Sequence, residues 1–316
     1  MKLVSFSYEG ITRIGCLVQE HIVDLHLAYR AMLESEGVIR AAQIAEAYIP
    51  SEMTAFLQGG AQSMELAKRA VDYATSHTGT LPYKLKYSVA DVKLEAPVTK
   101  PGKMICVGHN YREHILEMGR ELPPVPVIFA KFSNTVIGPQ DDIPFFPISE
   151  QLDYEAEFAF LIGKRARHVS QADALDYVAG YTIVNDVTYR DIQRRTIQWL
   201  QGKTVEGSAP MGPWLVTSDE LADPSGLEVV LTVNGEERQR SNTANLVFSV
   251  SFLVEFLSNL MTLEPGDVIL TGTPGGVGVA REPQVFLQHD DIVRIEIDRI
   301  GVLENKVKAV SEGESL

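Results

Sequence analysis

Residues 152–163 read LDYEAEFAFLIG. An apolar, aromatic-rich run bounded by a glycine reads as a strand inside a sheet, and this one holds Glu155 and Glu157 two positions apart. Strand side chains alternate between faces, so both glutamates point from one side, and Ala159 and Leu161 continue that side as apolar residues. That face looks internal. A Glu-x-Glu on a strand also suits a solvated face, whereas two buried carboxylates side by side need compensation, since repulsion and desolvation push one of them toward the neutral form.

Working outward, residues 104–108 (MICVG), 181–186 (YTIVND), 228–235 (EVVLTVNG), 267–272 (DVILTG) and 292–298 (IVRIEID) read as further short strands. Helical spacing predicts a helix over 171–178 capped by Ser170, one over 248–260 and a third from 187 to about 200. Many strands with scattered helices argue for a strand-rich α+β fold and against a doubly wound βαβ sheet. Upstream, LVSFSYEG, TRIGCLVQ and HIVDL read as a small sheet, followed by largely helical segments at 28–48, ending before Pro50, and at 63–76. Residues 92–103, VKLEAPVTKPGK, break the pattern with two prolines and a glycine. A boundary near 98 follows, dividing a small N-terminal α+β domain (1–98) from a larger strand-rich domain (99–316). There is no internal repeat and no low-complexity tract.

The 316 residues include 28 basic and 42 acidic side chains, a net charge of −14 that repels phosphate backbones and anionic lipid headgroups. Neither nucleic acid nor a membrane is therefore expected as a partner. The N-terminal MKLVSFSYEG meets polar residues too early for a signal peptide, and the apolar stretch 246–261 is interrupted by three serines, a glutamate and an asparagine. Cys16 and Cys106 are too few for a disulfide framework or a thiolate metal site, so a reducing cytoplasm is expected.

Two constellations carry chemistry. Asp186 closes the YTIVND strand and adds a third carboxylate to Glu155 and Glu157. Three hard oxygen donors without cysteine or a suitably spaced histidine suit Mg²⁺, Mn²⁺ or Ca²⁺ rather than Zn²⁺. In residues 107–119, VGHNYREHILEMG, Asn110 reads as an N-cap and Gly119 as a stop, which puts His114 and Glu117 on one turn of a short helix. A carboxylate beside an imidazole orients it and raises its basicity, as a general base near neutral pH requires; a surface ion pair is the simpler reading. TGTPGGVG, 271–278, is either a tight loop beside a ligand or a structural turn. The GKT at 202–204 has Ile197 where a phosphate-binding loop needs glycine, and GxSxG, HExxH and CxxC are absent.

Together these segments resemble the fumarylacetoacetate hydrolase family over about residues 104–298. The matching runs are GHNYREHILEMG, LDYEAEFAFLIGKRARHVS, DYVAGYTIVNDVTYRDIQ, GKTVEGSAPMGPWLV, LTVNGEERQ, FSVSFLVEFLS and LEPGDVILTGTPGGVG. The resemblance implies a mixed β-sandwich roll assembled as a homodimer, with Glu155, Glu157 and Asp186 as metal ligands and His114 with Glu117 as a base dyad on a lid. It also implies that Arg190, Gln193 and Lys203 bind substrate oxygens, with Lys131 and Thr273 at further pocket positions. Val107 stands where the family's fumarylacetoacetate-cleaving members have a fourth carboxylate, which points to the three-carboxylate branch of acylpyruvases, oxaloacetate decarboxylases and hydroxydienedioate isomerases. His109 replaces the Arg or Lys common in that branch and bears on the substrate's charge and length.

The implied activity is that of a divalent-metal-dependent enzyme acting on small 2-oxo acids through a metal-bound enolate. Hydrolysis of an acylpyruvate is expected first, with Gln193 and Lys203 stabilising an oxyanion and His114 activating water. Oxaloacetate decarboxylation and isomerisation of 2-hydroxyhepta-2,4-diene-1,7-dioate are the runners-up. A binding or scaffold protein that keeps the pocket predicts no turnover, and a metal-free hydrolase using His114 with Asp191 or Glu113 predicts insensitivity to EDTA.

Overall fold

The computed structural model describes residues 1–76, 83–117, 119 and 121–311. Its largest sheet has twelve strands. Across it run Lys86–Ser88, His21–Asp24, Ile11–Val18, Lys2–Tyr8, Ala209–Thr217, Val178–Asn185, Ala156–Ile162, Val268–Leu270, Met104–Gly108 and Val127–Lys131. Lys93–Glu95 pairs with Lys2–Tyr8, and Val136–Ile137 with Ala209–Thr217. A five-stranded sheet orders Glu236–Asn242, Glu228–Val233, Ile292–Ile297, Gly301–Ala309 and Ile143–Phe145. The strand-rich α+β expectation holds.

Ala156–Ile162 is buried on both faces, which explains its near-continuous apolar sequence. Alternation sends Phe158, Phe160 and Ile162 into the core shared with the five-stranded sheet, and Ala159 and Leu161 into the core shared with the N-terminal helices. The latter is the glutamate side, internal as its sequence suggested. The N-terminal helices Leu25–Ser35 and Gly60–Ser76 bury small or apolar faces, including Ala28, Ala67, Ala70 and Ala74. Buried Asp24 caps the first of them by accepting from Leu27 N–H at 2.8 Å. The segments on either side of residue 98 share one sheet, through Leu3 opposite Leu215, and one apolar core.

Several helices differ from expectation. The 28–48 segment divides into Leu25–Ser35 and Ala41–Tyr48 around Gly37, whose φ of +72° ends the first helix. Instead of a helix over 171–178 there is one 3₁₀ turn, Ala174–Tyr177, because Ser170 and Asp173 bond each other in a local turn. The helix expected from 187 to 200 is replaced by Thr188–Tyr189, which pairs with Leu152–Asp153, and by single turns at Arg190–Gln193 and Leu200–Lys203. Residues 194–198 are exposed throughout and offer no apolar stripe to bury. The 248–260 helix is observed as Val250–Leu260, capped by Ser249.

Candidate metal centre and active site

The strand expected over 152–163 is interrupted at Tyr154 and Glu155, where Glu155 N–H donates to the Asn185 side chain at 3.0 Å instead of to a neighbouring strand. The interruption keeps Glu155 and Glu157 together. Ala156 pairs with Asn185 and Glu157 with Val184, so Asp186, just past the end of its strand, arrives beside both; its N–H donates to Glu155 O at 2.9 Å. Glu155, Glu157 and Asp186 are all buried, with ligand oxygens within 4.8 Å of one another. Their anionic donor set fits a hard divalent cation.

The compensation such burial requires is incomplete. Lys203 Nζ donates to Glu155 at 2.8 Å and Asp186 at 2.7 Å, Arg190 Nη1 lies 2.6 Å from Glu155, and Lys131 Nζ lies 3.0 Å from Asp186. Glu157 receives only the Gly272 N–H, at 2.6 Å, and no cationic side chain among the described residues pairs with it. Burial, then Asp186 and Glu155, push its pKa well up, while Lys203 and Arg190 overcome burial to hold Glu155 at about 2. The centre is one positive charge short, at the carboxylate a metal ion would neutralise. The same pairs raise the Lys203 and Arg190 pKa values against burial, whereas burial wins at Lys131 and lowers it.

A cavity of about 120 Å³ opens over Glu155 and Glu157. His109, His114, Arg190, Gln193, Lys203 and Thr273 line it, as do Phe129, Arg194 and Trp199; Asp186 and Lys131 are buried away from the wall. His114 Nδ1 lies 3.3 Å from Glu117, whose pKa falls because of this contact and the Gly276 N–H. With Nδ1–H donated to Glu117, Nε2 is left with a lone pair. His109, at φ +54°, has its ring centroid 6.2 Å from that of His114 and stands edge-on to Trp199. Gln193 Oε1 accepts from Arg190, which leaves its amide N–H groups for a ligand.

Three contributions were not foreseen. Asn110, expected as an N-cap, instead spans two loops: its amide donates to Phe248 O and Thr271 O, and its oxygen accepts from Phe248 N–H. The helix is Arg112–Glu117, and Gly119, at φ +65°, ends it as expected. Asp153, fully buried, accepts from Gly278 and Val279 N–H groups and from Arg190 Nε at 2.7 Å, so it orients the guanidinium that grips Glu155. The TGTPGGVG loop is therefore a clamp: Gly272, Gly276 and Gly278 each give an N–H to a carboxylate, Glu157, Glu117 and Asp153 in turn. Gly272 has φ +103°, and a Cβ there would meet Val107 O at 2.9 Å. Asp153 lies within the glutamate segment, but only its tertiary contacts reveal what it does.

Residues 103–308 match the family described as "Fumarylacetoacetate (FAA) hydrolase C-terminal". The chain belongs to the fumarylacetoacetate hydrolase family. It is 42% identical to oxaloacetate tautomerase fahd2, mitochondrial, of Xenopus laevis over 313 residues, which cover 97% of this chain and 90% of the frog protein. It is 43% identical to the human oxaloacetate tautomerase FAHD2B, mitochondrial, over 82% of this chain and 80% of that one. Among solved structures of the family, fumarylacetoacetate hydrolase from psychrophilic Exiguobacterium antarcticum superposes with a TM-score of 0.80 at 34% identity, covering 98% of this chain and all of that one. Maleylpyruvate hydrolase from Sphingobium sp. SYK-6, solved with manganese (II) ion and pyruvate, gives 0.74 at 28% identity with the same coverage.

Proposed function

We propose that this protein is a divalent-metal-dependent enzyme on small 2-oxo acids and that its reaction is the keto–enol tautomerisation of oxaloacetate. The observation that carries the reading is the buried triad with its uncompensated Glu157, set beside a histidine already oriented by a carboxylate. The tautomerases at 42–43% identity support the choice of reaction within the family. Glu155, Glu157 and Asp186 would hold Mg²⁺ or Mn²⁺, with Ca²⁺ also suited to the oxygen donors. The cation, when bound, supplies Lewis-acid polarisation of the 2-oxo group.

The chain's own residues do the rest. Lys203 spends two of its three N–H donors on Glu155 and Asp186 and keeps the third for a substrate oxygen, while Gln193 offers its amide from the same wall. Thr273 presents its side chain at the wall, its hydroxyl accepting from Gln239. His114 Nε2 shuttles one proton: it takes it from C3 and delivers it to the 2-oxo oxygen as the enol forms, and carries it back from that oxygen to C3 as the ketone forms, with Glu117 stabilising the imidazolium between the two. The apolar faces of Phe129 and Trp199 limit water around the reacting carbon. Buried, free Cys16 and Cys106 suit a reducing compartment, the cytoplasm in this proposal, although the tautomerase relatives are named as mitochondrial.

Acylpyruvate hydrolysis is the second reading, favoured by the likeness to maleylpyruvate hydrolase over nearly the whole chain. One assay separates the readings. Loss of the enol absorbance of oxaloacetate, accelerated with Mg²⁺ or Mn²⁺, abolished by EDTA and without pyruvate release, is expected. Pyruvate from oxaloacetate indicates decarboxylation, pyruvate from an acylpyruvate indicates hydrolysis, and full activity in EDTA contradicts both readings. His114→Ala is expected to lower the proton-transfer rate by about 10²–10⁴-fold.

A further inference from the structure

We propose that Arg194 selects dicarboxylic 2-oxo acids by binding the carboxylate remote from the 2-oxo group. The inference rests on the 2-oxo acid reading above and adds to it the residue that selects the second carboxylate.

Three cationic side chains other than histidine line the cavity, and two are already engaged. Arg190 lies 2.7 Å from Asp153 and 2.6 Å from Glu155; Lys203 lies 2.8 Å from Glu155 and 2.7 Å from Asp186. Arg194 is different. It follows the Arg190–Gln193 turn, its own N–H donates to Arg190 O at 3.1 Å, and its guanidinium forms no ion pair or side-chain hydrogen bond among the described residues. It is exposed yet part of the cavity wall, which places it at the mouth, whereas Glu155 and Glu157 form the buried floor.

Charge decides where a second substrate carboxylate goes. At the floor, Asp153, Glu155, Glu157 and Asp186 face Lys131, Arg190 and Lys203, so a divalent ion leaves a single positive charge. The carboxylate next to the 2-oxo group consumes that charge, and a further one at the floor would enter a centre with no net positive charge left to meet it. At the mouth, Arg194 offers an unused planar fork that matches a carboxylate. A 2-oxo acid ending in a methyl group gains nothing there.

The test compares wild type with Arg194→Gln on oxaloacetate and on 2-oxobutanoate, its methyl-ended counterpart, by following C3–H exchange with deuterium in the presence of Mg²⁺. Loss of a charge-assisted hydrogen bond is expected to raise KM for oxaloacetate roughly 10–100-fold with little change in kcat. KM for 2-oxobutanoate is expected to stay within about twofold of wild type, and Arg194→Lys to fall between the two on oxaloacetate. A thermal midpoint equal to wild type excludes a folding effect at this exposed position. Equal losses on both substrates, or no loss on either, overturn the role of Arg194 while leaving the 2-oxo acid reading intact. A wild-type protein that exchanges neither substrate overturns both.

Discussion

At the residue scale the site depends on a side chain outside the cavity. Asp153 holds Arg190, Arg190 holds Glu155, and removing one member of a buried pair strands the other charge. Asp153→Asn is therefore expected to cost about 3–5 kcal/mol in denaturant unfolding and to weaken Mn²⁺ binding; an unchanged unfolding midpoint contradicts the arrangement. The cysteines make an independent check. Burial pushes the Cys16 thiol up to about 11 and raises Cys106 well above its ordinary value, so neither is expected to react with a disulfide reagent at pH 8 until the chain is unfolded, when both do. Rapid labelling of the native protein contradicts the burial described.

At the element scale the Arg112–Glu117 helix is short and docks through buried Ile115 and through two polar contacts, Glu117 to Gly276 and Glu113 to Asn245. The Glu117 pKa is lowered from its ordinary 4.5, so its contribution is fully present above that value and is lost as pH falls through the lowered one. Hydrogen exchange is expected to show protection of this helix failing below about pH 4.5 before the Ala156–Ile162 strand is affected. Unchanged protection there contradicts the docking. The elements legible in the sequence are those whose local pattern matches their burial. The strand bearing Glu157 and the strand leading to Asp186 are near-continuous apolar runs because both faces are buried, and the Val250–Leu260 helix carries its apolar residues on one face. Residues 187–200 lack that guide, because buried Asp153 and the cavity, both remote in sequence, decide how they fold. Asn110 misled for the same reason: its local pattern suits a cap, but its partners lie some 140 and 160 residues away.

At the scale of the whole molecule, the N-terminal segment completes the sheet. Without residues 1–98 the Ala209–Thr217 strand loses its Lys2–Tyr8 partner, and the core around Leu161, Met211 and Leu215 loses its cover. A 99–316 fragment is expected to aggregate, and a soluble, cooperatively unfolding fragment contradicts that. At the opposite edge, Val127–Lys131 ends the sheet and exposes Ile128 and, just beyond it, Phe132; the homodimer expected from the family resemblance is proposed to use this edge. Light scattering is expected to give about 70 kDa, twice the 34.9 kDa chain mass, and Phe132→Glu to shift it toward monomer. A wild-type mass of one chain removes the dimer.

All of the proposed chemistry rests on a cation at the triad, and a Mn²⁺ titration followed by electron paramagnetic resonance reads that directly. The account predicts one tightly bound ion per chain, lost in Glu155→Ala and Glu157→Ala while Arg194→Gln retains it. Wild-type stoichiometry and affinity in both glutamate variants would contradict it.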